Sequence, residues 1–86
     1  MLVNYNVNRE DVLAFIEVAR SVKDRGLSYS EENALLMENG FYSSLLEHFG
    51  SLHSAKEYFT SCLSRYEGER GGITLVIGFI ERLINR

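Results

Sequence analysis

Proline and tryptophan are absent from this 86-residue chain, and cysteine occurs once. Because proline is the strongest helix breaker, its absence suits a helical protein. A single cysteine excludes an internal disulfide, so we expect a reducing compartment and a cytoplasmic location.

Long apolar runs are also missing. The longest, near Ile73–Ile80, is interrupted by Gly78 and is too short to span a bilayer, which predicts no association with a membrane. The beginning of the sequence, MLVNYNVNRED, lacks the basic start and apolar centre of a signal peptide.

Positive charge is scarce, since 9 Lys and Arg stand against 12 Asp and Glu for a net charge of -3. This balance favours neither nucleic acid nor an anionic membrane as a partner. The shortage is greatest over residues 26–55, which contain no Lys or Arg. Their acids are Glu31, Glu32, Glu38 and Glu47.

Metal-ligating residues are few and unpaired. His48 and His53 are the only histidines, and neither a CxxC nor an HxxxH spacing occurs. Zinc sites usually show paired ligands at short fixed spacing, so we expect both histidines to lie on the surface at helix ends. The sequence therefore predicts no metal and no cofactor.

Residues that could carry catalysis do not converge. Cys62 lies on an apolar stripe in the middle of a predicted helix, where a thiol is usually a packing residue. The glycines around Arg70 lack the Lys-Ser/Thr pair of a phosphate-binding loop, because Ile73 and Thr74 follow them. We therefore expect no catalytic residue and no enzymatic activity.

The length predicts a single domain, residues 1–86, with residues 1–8 as an N-terminal arm in which Val3, Tyr5 and Val7 pack on the rest. Apolar residues at helical spacing predict an all-α fold, a compact bundle of four or five short helices containing a helix-turn-helix-like unit. Asn8 caps a first helix over residues 9–24.

Capping patterns mark three of the predicted helix starts. Asn8 has Asp11 three residues on, Ser28 has Glu31, and Ser54 has Glu57, although Ser51 is an alternative cap of the fourth helix. Asn39-Gly40 and Gly50 end the second and third helices. Residues 67–72, EGERGG, are predicted to form a loop.

The last segment, residues 73–86, leaves two alternatives open. Its β-branched residues allow a strand over residues 73–79. The spacing of its isoleucines favours a helix, which would form the main core with the first and fourth helices. The inward stripe of that helix would be Ile73, Ile77, Ile80 and Ile84.

This last helix has more apolar residues than one face needs, because eight of the twelve residues from Ile73 to Ile84 are apolar. We expect the surplus to form the interface of a homodimer. The alternative is a central helix that is surrounded by the others. The predicted interface residues are Leu75, Val76, Phe79 and Leu83.

Two short apolar segments meet at Asn39-Gly40, and Phe49-Gly50-Ser51 closes one helix and opens the next, which is the layout of a helix-turn-helix. The run GFYSSLLEHFGSLHSA, residues 40–55, resembles the homing-endonuclease-associated repeat. A looser likeness relates it to tetracycline-repressor-type DNA-binding domains. The residues that match the repeat are Gly40, Ser44, Phe49, Gly50, Ser51 and Ala55.

The resemblance implies a third helix that enters the major groove of DNA, with Tyr42, Ser43, Ser44 and Glu47 nearest the bases. The charge of residues 26–55 departs from the family, because neutralisation of phosphates supplies most of a DNA binder's affinity. Basic residues elsewhere in the chain would contribute to DNA affinity only if they gathered at one edge of the motif. The candidates are Arg20, Lys23, Arg25 and Lys56.

The acidic balance therefore favours a protein partner with a basic surface over nucleic acid. We expect a small non-enzymatic regulatory or inhibitory protein, of a kind that phages also encode. The alternative is a helix-turn-helix transcriptional regulator that binds DNA. The predicted partner-binding residues are Tyr29, Glu38, Tyr42, Ser43, Glu47 and Tyr58.

Overall fold

The computed structural model describes residues 7–86, which form five α-helices and no strand. The all-α prediction is confirmed, and the strand alternative for residues 73–79 is wrong. The helices are Arg9–Lys23 (α1), Tyr29–Glu38 (α2), Phe41–Phe49 (α3), Leu52–Arg65 (α4) and Arg70–Ile84 (α5), with a 3-10 turn at Glu67–Glu69.

The predicted N-terminal arm falls mostly outside the described residues, and this includes Val3 and Tyr5. Val7 is described, and it packs half-buried against the core as expected.

Two of the three predicted capping boxes are confirmed. Asn8 accepts a hydrogen bond from the backbone amide of Asp11, whose carboxylate accepts one from the amide of Asn8. Ser28 and Glu31 make the same reciprocal pair. The third box, Ser54 with Glu57, is wrong, because Ser54 lies inside α4. The alternative cap is correct: the hydroxyl of Ser51 accepts a hydrogen bond from the backbone amide of Ser54.

The turns on either side of α3 depend on glycine. Gly40 and Gly50 have φ angles of 89° and 83°, in the region that residues with a side chain rarely adopt. These two turns bring three short helices, α2 to α4, into consecutive contact, as the helix-turn-helix layout predicted.

The predicted loop over residues 67–72 is only partly correct, because α5 begins at Arg70 and includes Gly71 and Gly72. Gly72 is buried against α1, and a Cβ at this position would collide with the side chain of Ile16. The glycine therefore serves close helix packing, which the glycine-rich composition of the segment does not reveal.

The core lies between α1, α4 and α5, as predicted, and α3 closes one end with aromatic rings. The ring of Phe15 on α1 meets Phe41 of α3 at 5.8 Å and Phe59 of α4 at 5.5 Å between centroids. Burial of these large side chains, together with the aliphatic residues of the core, removes apolar area from water, which is the main stabilising contribution.

The predicted dimer face does not lie on the surface. Val76, Phe79 and Leu83 are buried within one chain, and only Leu75 among the four is half-buried. The predicted inward stripe is half correct: Ile73 and Ile80 are fully buried, whereas Ile77 and Ile84 are only half-buried. Val76 and Leu83, each one residue earlier, take the inward positions instead. The central-helix alternative is correct, because α5 packs on α1, α2 and α4. Association of two copies itself stays a prediction.

We predict that Gly72→Ala lowers the free energy of unfolding by about 1–3 kcal/mol, because the new methyl group overpacks the α1–α5 contact. Ile16 cannot move aside easily, since a β-branched side chain in a helix has one strongly preferred rotamer. Urea unfolding monitored by circular dichroism measures the change. The control is Gly71→Ala, whose methyl group meets nothing within 4 Å; an equal loss there would contradict the packing argument.

We also predict that Glu31→Gln destabilises the protein at neutral pH. Hydrogen bonds from the backbone and side chain of Ser28 lower the pKa of Glu31. The ionised Glu31 therefore stabilises the folded protein. This contribution to the free energy of unfolding is fully present above the pKa that Glu31 has in the unfolded chain, and it is lost as the pH falls through the lower pKa of Glu31 in the folded protein. The difference in stability between the two proteins should therefore shrink as the pH falls and vanish below the lowered pKa of Glu31 in the folded protein. Glu57→Gln, which changes no helix cap, is the control, and a difference independent of pH would contradict the prediction.

Candidate partner-binding surface

Among the five helices, α2 is the one that contributes least to the core. It buries only Glu32 and Leu36, and it carries the two large apolar side chains that are exposed among residues 7–86. These are Tyr29 and Met37, which are 72% and 38% exposed. The outer face of α2 is defined here as Ser30, Glu31, Ala34, Met37 and Glu38, all of which are exposed. Tyr29 borders this face at the start of the helix, on the side that carries Glu32 and Leu36.

The outer face of α2 has an apolar centre between two acids. Ala34 and Met37 lie one turn apart, and Glu31 and Glu38 stand two turns apart on the same side of the helix. Because its pKa is lowered, Glu31 is a carboxylate at neutral pH. The surface therefore combines exposed apolar area with negative charge, and no Lys or Arg lies in residues 26–55.

The inner side of α2 is joined to α5 by a salt bridge. Nη2 of Arg82 lies 2.8 Å from Oε1 of Glu32, and it also donates to the backbone oxygen of Tyr29 and to Oδ1 of Asn33 at 3.4 Å each. Glu32 is the one charged side chain that is buried among residues 7–86. A buried carboxylate needs such a partner, so this pair determines where α2 sits on α5.

Aromatic rings complete the environment of Arg82. Its guanidinium carbon lies 3.9 Å from the ring centroid of Tyr29 and 4.9 Å from that of Phe79. Arg86, one turn later, lies 5.4 Å from the ring of Tyr42. These cation–π contacts hold both tyrosines at the last turn of α5 while one side of Tyr29 stays open to solvent.

The six predicted partner-binding residues do not form one surface. Tyr29, Glu38, Ser43 and Glu47 are exposed, whereas Tyr42 and Tyr58 are half-buried. Tyr58 belongs to the contact between α3 and α4, where its ring lies 5.1 Å from that of Phe49. Burial raises the pKa of Tyr58 to about 12, in keeping with a packing role. A partner-binding role for aromatic residues predicted Tyr29, Tyr42 and Tyr58 to be exposed; this is confirmed for Tyr29 and wrong for Tyr42 and Tyr58.

Arg82 and Arg86 were missed by sequence reasoning, and so was the burial of Glu32. No local pattern could have found the ion pair, because its partners are 50 residues apart. Glu32 lies in the first turn of a short helix, where an acid is ordinarily solvated, so its position in the sequence did not indicate burial.

The basic residues that could serve DNA binding lie toward α5. Arg20 is next to Gly72, Lys23 lines a groove with Leu75 and Gly78, and Nζ of Lys56 lies 3.6 Å from Oε2 of Glu81. These three side chains therefore do not gather beside α3, where the resemblance would require positive charge.

Groups that could hold a metal or act as a nucleophile are dispersed. Among residues 7–86, no three His, Cys, Asp or Glu side chains lie close enough to bind a metal ion. Cys62 is buried, as predicted, and burial raises the pKa of its thiol. His53 is exposed, but His48 is half-buried with its ring 5.8 Å from that of Phe15, so the surface prediction fails for His48.

No helix within residues 7–86 has the combination of length and apolar character needed to cross a bilayer. Comparison of the chain with protein-family models, with curated proteins and with solved structures gives no match. The resemblance to the homing-endonuclease-associated repeat therefore depends only on the six residues quoted for it, and function has to be argued from the surface.

We predict strong coupling between Glu32 and Arg82. Either Glu32→Gln or Arg82→Met should lower the free energy of unfolding by about 2–4 kcal/mol, because each leaves a mostly buried charge without its partner. The double variant should lose less than the sum of the two. Urea unfolding of all four proteins provides the measurement, and strictly additive losses would show that the pair does not interact.

Proposed function

We propose that this chain is a small non-enzymatic regulatory or inhibitory protein that acts in the cytoplasm by binding a protein partner with a basic surface. The observation that carries the proposal is the outer face of α2. It offers exposed apolar side chains at Ala34 and Met37 between the carboxylates of Glu31 and Glu38.

The composition of this face suits an interface with another protein. Tyr and Met are enriched where proteins associate, and a single exposed helix can supply the apolar centre of a small interface. Because Tyr29 is held by Arg82, its ring loses little conformational freedom when a partner covers it. The two acids would then meet Lys or Arg side chains at the rim, where they raise the association rate and select the partner.

Charge also supports a basic partner over duplex DNA. Four glutamates and no Lys or Arg lie in residues 26–55, and Arg20, Lys23 and Lys56 lie toward α5. Arg82, which is paired with Glu32, and Arg86 lie beside Tyr29 and Tyr42. The outer face of α2, with Glu31 and Glu38, repels phosphates but matches a protein whose own basic face binds nucleic acid. An inhibitor would work by covering that face.

The test uses a variant that changes the outer face without disturbing the fold. Met37→Gln with Glu38→Lys removes the apolar centre and reverses one charge, and Lys at the end of α2 suits the helix dipole. We expect the immobilised wild-type protein to retain a basic protein from a lysate, and the purified partner to bind with an affinity that falls with salt. The variant should bind that partner at least tenfold more weakly.

Glu17→Lys with Ala14→Gln is the matched control, because both residues are exposed on α1 and the change in net charge is the same. Equal loss in the control would mean that net charge alone governs binding. Tight, salt-sensitive retardation of a defined duplex by the wild-type protein would contradict the proposal and favour the helix-turn-helix alternative.

A further inference from the structure

A glycine in the middle of α5 has no structural explanation within the fold. Gly78 has ordinary helical geometry, and a Cβ built on it would meet nothing within 4 Å. Gly72 in the same helix differs, since its Cβ would collide with Ile16. A glycine inside a helix costs about 0.5–1 kcal/mol relative to alanine. Residues that break a local rule without a packing reason are commonly found at functional sites.

The missing side chain leaves a groove between α1, α2 and α5. Gly78 forms its floor, and the walls are the side chains of Leu75 and Phe79 on α5 and the ring of Tyr29 on α2. The Gly78 groove, as we name it, has a volume of about 330 Å³, and its lining also includes Thr74 and three charged residues, Lys23, Arg82 and Glu32. This volume is near the lower limit for ligand pockets, so the groove accommodates one residue and not a whole helix.

The charge of the groove is opposite to that of the outer face of α2. Arg82 shares its charge with Glu32, whose carboxylate lies 2.8 Å away. Lys23 forms no ion pair within residues 7–86, so the groove has one positive charge without a counter-charge. An apolar floor with a lysine at its edge favours a ligand that is both aliphatic and anionic.

We propose that the Gly78 groove binds the C-terminal aliphatic residue of a polypeptide. The groove holds a single residue, so the apolar group and the negative charge have to come from the same residue. Within a polypeptide, the C-terminal residue is the one that can join an aliphatic side chain to a free α-carboxylate. The side chain lies over Gly78 beside Leu75 and the ring of Tyr29, and the carboxylate reaches Lys23. This inference does not depend on the proposed function of the outer face of α2.

The test is a titration of the full ¹⁵N-labelled protein, followed by two-dimensional NMR. The probe is N-acetyl-leucine, and N-acetyl-leucinamide has the same side chain without the charge. We expect N-acetyl-leucine to shift the amides of Leu75, Gly78 and Phe79 with a dissociation constant of about 1–10 mM, the range for a ligand of this size. N-acetyl-leucinamide should bind with a dissociation constant about threefold higher, because a partly exposed ion pair contributes only modestly to affinity.

Variants of the groove locate the binding. Gly78→Leu fills the floor while favouring the helix, and it should abolish the shifts. Lys23→Gln, at an exposed residue, should weaken N-acetyl-leucine about threefold and leave N-acetyl-leucinamide unchanged. Gly71→Ala removes another helical glycine with open space around it and should change nothing. Circular dichroism checks that each variant is folded.

Each of the following results would overturn the proposal. The first is the absence of shifts in the groove at concentrations about tenfold above the expected range. The second is equal binding of the acid and the amide, which would remove the carboxylate from the recognition. The third is tighter binding of free leucine, because its ammonium group should be repelled by Lys23, or line broadening that grows with protein concentration and reports a second copy in the groove.

Discussion

The close approach of α5 to α1 at Gly72 is the contact on which the rest of the fold depends. Only a residue without a side chain lets the helix backbone lie against Ile16. This contact places α5 in the centre, so that Ile73, Val76 and Ile80 are buried on several sides. An 86-residue chain has little interior, and a central helix uses it fully because the helix buries a wide arc of its surface. The same centrality removes most of α5 from any external interface.

The Glu32–Arg82 pair determines how α2 is attached. Apart from Leu36 and the half-buried Leu35, α2 contributes no aliphatic side chain to the core, so its position also depends on polar contacts with Arg82 and on the ring of Tyr29. A helix held in this way keeps one face free, which is the requirement for a surface that binds a partner. The ordering of Tyr29 by Arg82 lowers the entropic cost of using that surface.

Opposite charges lie on the two sides of α2. The outer face displays Glu31 and Glu38, whereas the Gly78 groove contains Lys23 beside an apolar floor. The division follows from the fold, because the turn at Gly40 and the salt bridge at Arg82 orient α2 with its acids toward solvent. A partner that contacted both sides would need a basic surface and a free aliphatic chain end, which is a demanding and therefore selective combination.

The sequence by itself determined the class of fold and nearly all helix boundaries. Caps at Asn8 and Ser28 and glycine turns at Gly40 and Gly50 are local interactions between residues a few positions apart, so their patterns can be read directly. Charge could be read as well, and with it the acidic character of residues 26–55.

Only the tertiary structure decided which side of α5 faces inward, because the helix is apolar on most sides and its phase depends on the neighbours it meets. Val76 and Leu83 are buried for that reason, although the periodicity of the isoleucines pointed elsewhere. The burial of Glu32 and the environment of Arg82 arise between residues 50 positions apart. The difference between Gly72 and Gly78 is spatial too, since one faces Ile16 and the other faces an open groove. Contacts of this kind leave no local pattern, because the chain forms them only when helices distant in sequence pack together.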